Sequence, residues 1–144
     1  MKAMNIAARL PKLRAALDAA ACDALLVTNL TNVRYLTGFT GSAALLLVKA
    51  DELVLATDGR YAFQSSEQLK AAGVDARIEI GNLAGQKQAV SAAAAGIARV
   101  GLEATNITWA RQRSFAADWF TDAALVATDG GIEQLRPVED EGEL

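Results

Sequence analysis

No histidine occurs among the 144 residues of this chain, and that absence removes most catalytic arrangements. Serine and cysteine nucleophiles are ordinarily activated by an imidazole base, so Cys22 and the serines lack that partner. Cys22 follows an apolar helical stretch and reads as a small buried hydrophobe. Zinc and two-metal centres draw on His, Cys or converging carboxylates. Apart from Asp51-Glu52, the acidic residues are scattered singly until Glu139, Asp140, Glu141 and Glu143, and such a run reads as a solvated tail. No catalytic residue, metal ligand or cofactor is therefore assigned within the chain.

Two segments have a more pointed pattern. Gly38-Phe39-Thr40-Gly41-Ser42 is a glycine-rich turn feeding a strand. Its backbone N–H groups could face an anion. It lacks the strand-before, helix-after order of a dinucleotide loop and the lysine of a P-loop. Gly38 and Gly41 are then residues that supply backbone angles others resist. Thr57-Asp58-Gly59-Arg60-Tyr61 sits where a strand ends and a helix begins. Asp58 can cap that helix and gains from its dipole, and Gly59 relaxes the turn. Arg60 gains nothing from the dipole there, so it needs a partner: Asp58, another acidic side chain or a substrate carboxylate.

The elements that must hold these segments are legible from periodicity. Ile6, Leu10, Leu13 and Leu17 mark one helical face. Pro11 either kinks that helix or occupies its first turn. Ala24 to Thr28 reads as a buried strand. Asn29 to Leu36 forms helical turns capped by Asn29 and closed by Gly38. Ser42–Lys49 and Leu53–Ala56 pair as a hairpin across Ala50-Asp51-Glu52. Arg60 to Ala72 is helical, with Gly73 as its stop. Asp75 to Ile80 alternates Arg77 and Glu79 with Ala76, Ile78 and Ile80, as a half-buried or edge strand does. Leu83 to Ile97 is a helix, Arg99 to Leu102 a strand, and Ala124 to Ala127 a last strand. Thr108 to Phe120 is expected as an amphipathic helix with Trp109, Ala116, Trp119 and Phe120 roughly on one side. The sum is an α/β domain: a mixed sheet of about six strands with helices on both faces.

The chain is one domain by length, and 52% of it is apolar, enough for a core without disulfides. The net charge of −3 offers no basic face for nucleic acid. Apolar runs such as Ala43 to Val48 are far shorter than the roughly 20 residues of a membrane span. No leader pattern is evident at the N-terminus, and a lone cysteine fits a reducing, cytoplasmic setting. The sequons at Asn29 and Asn106 read as turns or helix starts rather than glycosylation sites.

Asn32-Val33-Arg34-Tyr35-Leu36-Thr37-Gly38-Phe39-Thr40-Gly41-Ser42, a hairpin, and then Thr57-Asp58-Gly59-Arg60-Tyr61 together resemble the N-terminal domain of the creatinase, prolidase and aminopeptidase P family. The leading helix and Asp23-Ala24-Leu25-Leu26-Val27 fit the same order, and the aminopeptidase P and Xaa-Pro dipeptidase branches are the nearest in pattern. The resemblance implies a creatinase/prolidase-like domain over 1–135, with Leu135-Arg136-Pro137-Val138 at the junction and 136–144 leading into a catalytic domain not contained in the chain. It implies a parent hydrolase that cleaves the bond before proline, with two divalent metal ions (Mn, Co or Zn) held by Asp, Glu and His in that other domain. The expected partners are a second copy of the chain, the parent's own catalytic domain and a proline-containing peptide. The positions matching substrate-facing residues of relatives are Arg34, Tyr35, Phe39, Arg60 and Tyr61, as a rim and not as catalytic groups. Gly38, Gly41, Asp58 and Gly59 are the structural motif residues. A stand-alone domain that binds a small molecule or amino acid, or a structural interaction module, is the alternative.

Overall fold

The computed structural model describes residues 6, 9–129 and 132. Helix α1 (Arg9–Ala19) buries Leu10, Leu13 and Leu17, and Pro11 lies in its first turn, where a missing N–H costs nothing. Strand β1 (Ala24–Val27) is buried throughout. Helix α2 (Leu30–Thr37) starts at Asn29, whose side chain accepts from the Thr31 N–H, and ends at Gly38 with φ 82°. Strands β2 (Leu45–Lys49) and β3 (Leu53–Thr57) form the expected antiparallel hairpin. A 3-10 turn (Gly59–Tyr61) leads into α3 (Ala62–Ala71), then β4 (Arg77–Ile80), α4 (Leu83–Ala93) and β5 (Arg99–Glu103). Helix α5 (Trp109–Ser114) runs into a π-turn (Phe115–Trp119), and β6 (Ala124–Thr128) follows.

The strands form one six-stranded sheet in the order β4-β3-β2-β1-β5-β6. The three in the middle, β3, β2 and β1, pair antiparallel, while β4 and β5 join them parallel and β6 joins β5 parallel. Side-chain alternation splits the buried residues into two cores. Leu13, Leu36, Phe39, Leu46 and Leu55 belong to one, together with Leu10, Leu17 and Leu69. Leu26, Leu47, Val54, Val90, Val100 and Phe115 belong to the other. The hairpin reads as continuous apolar sequence because both its faces are covered.

Two expectations are corrected. The strand expected from Ser42 begins at Leu45. Its first residues are committed elsewhere: Ser42 N–H donates to the Tyr61 hydroxyl (3.1 Å) and the Ala43 carbonyl accepts from Thr57 Oγ1 (2.6 Å). The segment from Thr108 to Phe120 is not one regular helix with Trp109, Ala116, Trp119 and Phe120 on one side. Trp109 is 76% exposed and Ala116 is exposed. The Phe120 N–H reaches the Phe115 carbonyl (2.8 Å), a five-residue step that brings Phe115 and Phe120 to the same core. The boundary at 135/136 and the acidic tail lie outside the described residues.

Candidate functional site

The two motifs singled out by spacing meet at one corner of the sheet. Helix α2 ends because Gly38 adopts a left-handed φ that closes its N–H on the Arg34 carbonyl (2.8 Å). Thr37 Oγ1 donates to the Val33 carbonyl (2.7 Å) and accepts from Phe39 N–H (3.1 Å), which fixes the exit of the chain. Phe39 then turns into the core at 1% exposure. A Cβ on Gly41 would lie 2.2 Å from Phe39 Cζ, so only glycine lets the chain fold back over that ring. At the end of β3, Asp58 caps the 3-10 turn by accepting from Arg60 N–H (3.0 Å).

The corner is stitched by polar side chains. Ser42 Oγ and the Tyr61 hydroxyl lie 2.6 Å apart, and the Tyr61 ring meets Phe39 edge-on with centroids 5.5 Å apart. Thr40 N–H donates to Gln68 Oε1 (2.9 Å), and Thr40 Oγ1 accepts from Gln64 Nε2 (3.1 Å) and Gln68 Nε2 (2.8 Å). Thus α3 holds the glycine-rich turn through Gln64 and Gln68, two residues the sequence motifs do not include.

Arg60 finds its partner in Asp58. Its Nε and Nη2 reach Oδ1 (3.0 Å) and Oδ2 (2.8 Å), a two-point ion pair. The guanidinium holds the Asp58 carboxyl below its ordinary value, and Asp58 in turn raises that of Arg60. Arg60 also lies over the Tyr61 ring, 5.0 Å from its centroid. The hydrogen bonds from Ser42 lower the Tyr61 phenol below its ordinary value.

The five rim candidates therefore separate. Arg60 is exposed and Tyr61 half-buried at this corner, and Arg34 is exposed on α2. Tyr35 and Phe39 are buried, at 7% and 1% exposure. Arg9, itself buried, lies 4.0 Å over the Tyr35 ring and donates to the Tyr35 carbonyl (2.7 Å). Neither ring offers a ligand an open face in this chain.

A second polar cluster was not foreseen. Glu103, 6% exposed at the end of β5, accepts from Thr28 N–H (2.7 Å), Asn29 N–H (2.9 Å) and Asn32 Nδ2 (2.6 Å). Asn106 Nδ2 donates to Thr28 Oγ1 (2.8 Å) beside it. The carboxylate sits at the start of α2, where it satisfies orphan N–H groups and complements the dipole. The signal in the sequence was a lone acid closing an apolar strand. The burial of Cys22 at 3% exposure agrees with its reading as a small hydrophobe, and burial pushes its thiol up.

Among the described residues, no three His, Cys, Asp or Glu side chains are grouped so as to hold a metal ion. Among the same residues no helix is long and apolar enough to cross a membrane.

The chain is 36% identical over 136 residues to the peptidase YqhT of Bacillus subtilis (strain 168), covering 94% of this chain and 37% of YqhT. The N-terminal domain of the cytoplasmic peptidase PepQ from Mycobacterium tuberculosis H37Rv superposes with a TM-score of 0.77 at 36% identity, over 90% of this chain and 98% of that one. The Xaa-Pro dipeptidase from Bacillus anthracis gives a TM-score of 0.79 at 30% identity, over 92% of this chain and 36% of that one. The chain thus spans little more than a third of YqhT and of the dipeptidase. The family model of the creatinase/prolidase N-terminal domain matches residues 9–138, and the chain belongs to that family.

Proposed function

We propose that the chain is the non-catalytic N-terminal domain of a cytoplasmic, metal-dependent peptidase that hydrolyses the bond before proline. In that role it supplies contacts between two copies and part of the rim of the substrate pocket. The observation that carries this reading is the pattern of coverage. Nearly the whole chain aligns with a fraction of two full-length peptidases, and it also aligns with nearly all of an isolated peptidase N-terminal domain. The metal ions and their ligands belong to the catalytic domain of the parent.

Arg60, Tyr61 and Arg34 are the rim residues with surface to offer, while Tyr35 and Phe39 hold the turn from inside. The Arg60–Asp58 pair is mostly exposed on the arginine side, 65%. Exposed pairs are worth little, so a substrate carboxylate could replace Asp58 at small cost. The purified chain, supplied with Mn²⁺, Co²⁺ or Zn²⁺, is expected to leave an Xaa-Pro peptide intact. Chelator-sensitive turnover by the chain alone would overturn the non-catalytic assignment. In the parent enzyme, Arg60→Ala is expected to raise KM about tenfold with little change in kcat, the signature of lost uniform binding. An unchanged KM removes Arg60 from the rim.

A further inference from the structure

Among the described residues, strand β4 ends the sheet on one side and pairs with β3 alone. The Gly81 N–H donates to the Thr57 carbonyl (3.0 Å). Backbone groups alternate sides along a strand, so Arg77 and Glu79 direct theirs at β3. Ala76, Ile78 and Ile80 direct theirs outward. We infer that this outer edge is where two copies of the chain join, as an antiparallel β4–β4 pair with Ile78 on the twofold axis. The inference rests on the dimer reading above and gives it a surface.

Charge complementarity selects the partner and the register. With Ile78 opposite its own copy, Arg77 of each chain lies opposite Glu79 of the other. Ile78 is then a hydrogen-bonded pair that exchanges both N–H···O bonds. Arg77 and Glu79 occupy the non-hydrogen-bonded position, where side chains are closest, with Cα atoms about 4.5 Å apart. Shifting the axis to Arg77 places arginine opposite arginine and Glu79 opposite Asp75. Shifting it to Glu79 places two glutamates together. Opposed like charges are destabilising across a strand pair, so of the registers centred within β4 only that on Ile78 opposes unlike charges.

Within one chain Arg77 lies near Glu52 (3.4 Å) and Glu79 (3.6 Å), with both its own side chain and that of Glu79 substantially exposed. These weak pairs can rearrange across the axis. Ile80 at the end of this strand and Leu83 at the start of α4 are 43% and 70% exposed. In the antiparallel pair Ile80 lands opposite Ala76 of the other copy, on the same face of the sheet.

Sedimentation equilibrium of the 144-residue chain tests the assignment. The wild type is expected to dimerise. Arg77→Glu and Glu79→Arg should each weaken association about tenfold by turning two attractive cross-strand pairs repulsive. The double variant, Arg77→Glu with Glu79→Arg, should restore it to within about threefold, since the pairs are attractive again with their ends exchanged. Circular dichroism checks that each variant is folded. A mixture of the Arg77→Cys and Glu79→Cys variants should yield a disulfide-linked dimer under mild oxidation, because the expected separation suits the bond. A dimer that is indifferent to the single reversals, or not restored by the exchange, overturns the β4 edge while the dimer reading stands. A strict monomer at high micromolar concentration overturns both.

Discussion

A carboxylate held at 6% exposure has to be matched by donors, and Glu103 is matched by four from the stretch Thr28 to Asn32. Those donors are themselves buried or nearly so, and they would be stranded without it. Glu103→Ala is therefore expected to cost about 3 kcal/mol, combining lost charged hydrogen bonds with unsatisfied N–H groups. Urea denaturation checks this; a loss below about 1 kcal/mol would mean that water replaces the carboxylate. Tyr61 makes a different prediction. Ser42 hydrogen bonds favour its phenolate, so the phenol titrates lower folded than unfolded. The resulting stabilisation is complete above the unfolded value and is lost as pH falls through the folded one. Ser42→Ala should move the titration upward, read as phenolate absorbance against a Tyr61→Phe reference. An unmoved titration would assign the shift to something other than Ser42.

At the level of elements, what could be read from sequence was whatever local chemistry decides. Asn29 caps α2 and Gly38 ends it, as their types require. The β2–β3 hairpin was legible because Ala50, Asp51 and Glu52 interrupt two apolar runs. What escaped was set by partners distant in sequence. Ser42 and Ala43 left the strand for Tyr61 and Thr57, at least 14 positions away. Gln64 and Gln68 entered the corner through Thr40, which no spacing within α3 announces. The π-turn shifted the helical phase, so a 3.6-residue template grouped Trp109 and Ala116 with Trp119 and Phe120 and passed over Phe115. Glu103 was passed over because an acid closing an apolar strand shows its burial only once the donors around it are known. The corner motifs were found as sequence, but the burial of Tyr35 and Phe39 required the packed structure.

For the whole molecule, the governing fact is that one sheet separates two cores while sharing its backbone between them. Val33 lies in the core beside α2, and Val90 in the core beneath α4; both have 0% exposure. Truncating either to alanine removes two buried carbons and leaves a small cavity, costing about 2 kcal/mol each. Because the sheet lies between them, they share no side-chain cluster, and the double variant should lose the sum to within about 0.5 kcal/mol. The unfolding should still be one transition, since neither core can lose its packing without exposing strands that the other also covers. Equilibrium denaturation followed by fluorescence and by circular dichroism checks both points. Two separated transitions would show that the cores are independent folding units. A coupling above about 1 kcal/mol in a single transition would show that strain crosses the sheet. In the proposed dimer it is this shared sheet, lengthened at β4, that would carry one subunit's packing to the edge of the next.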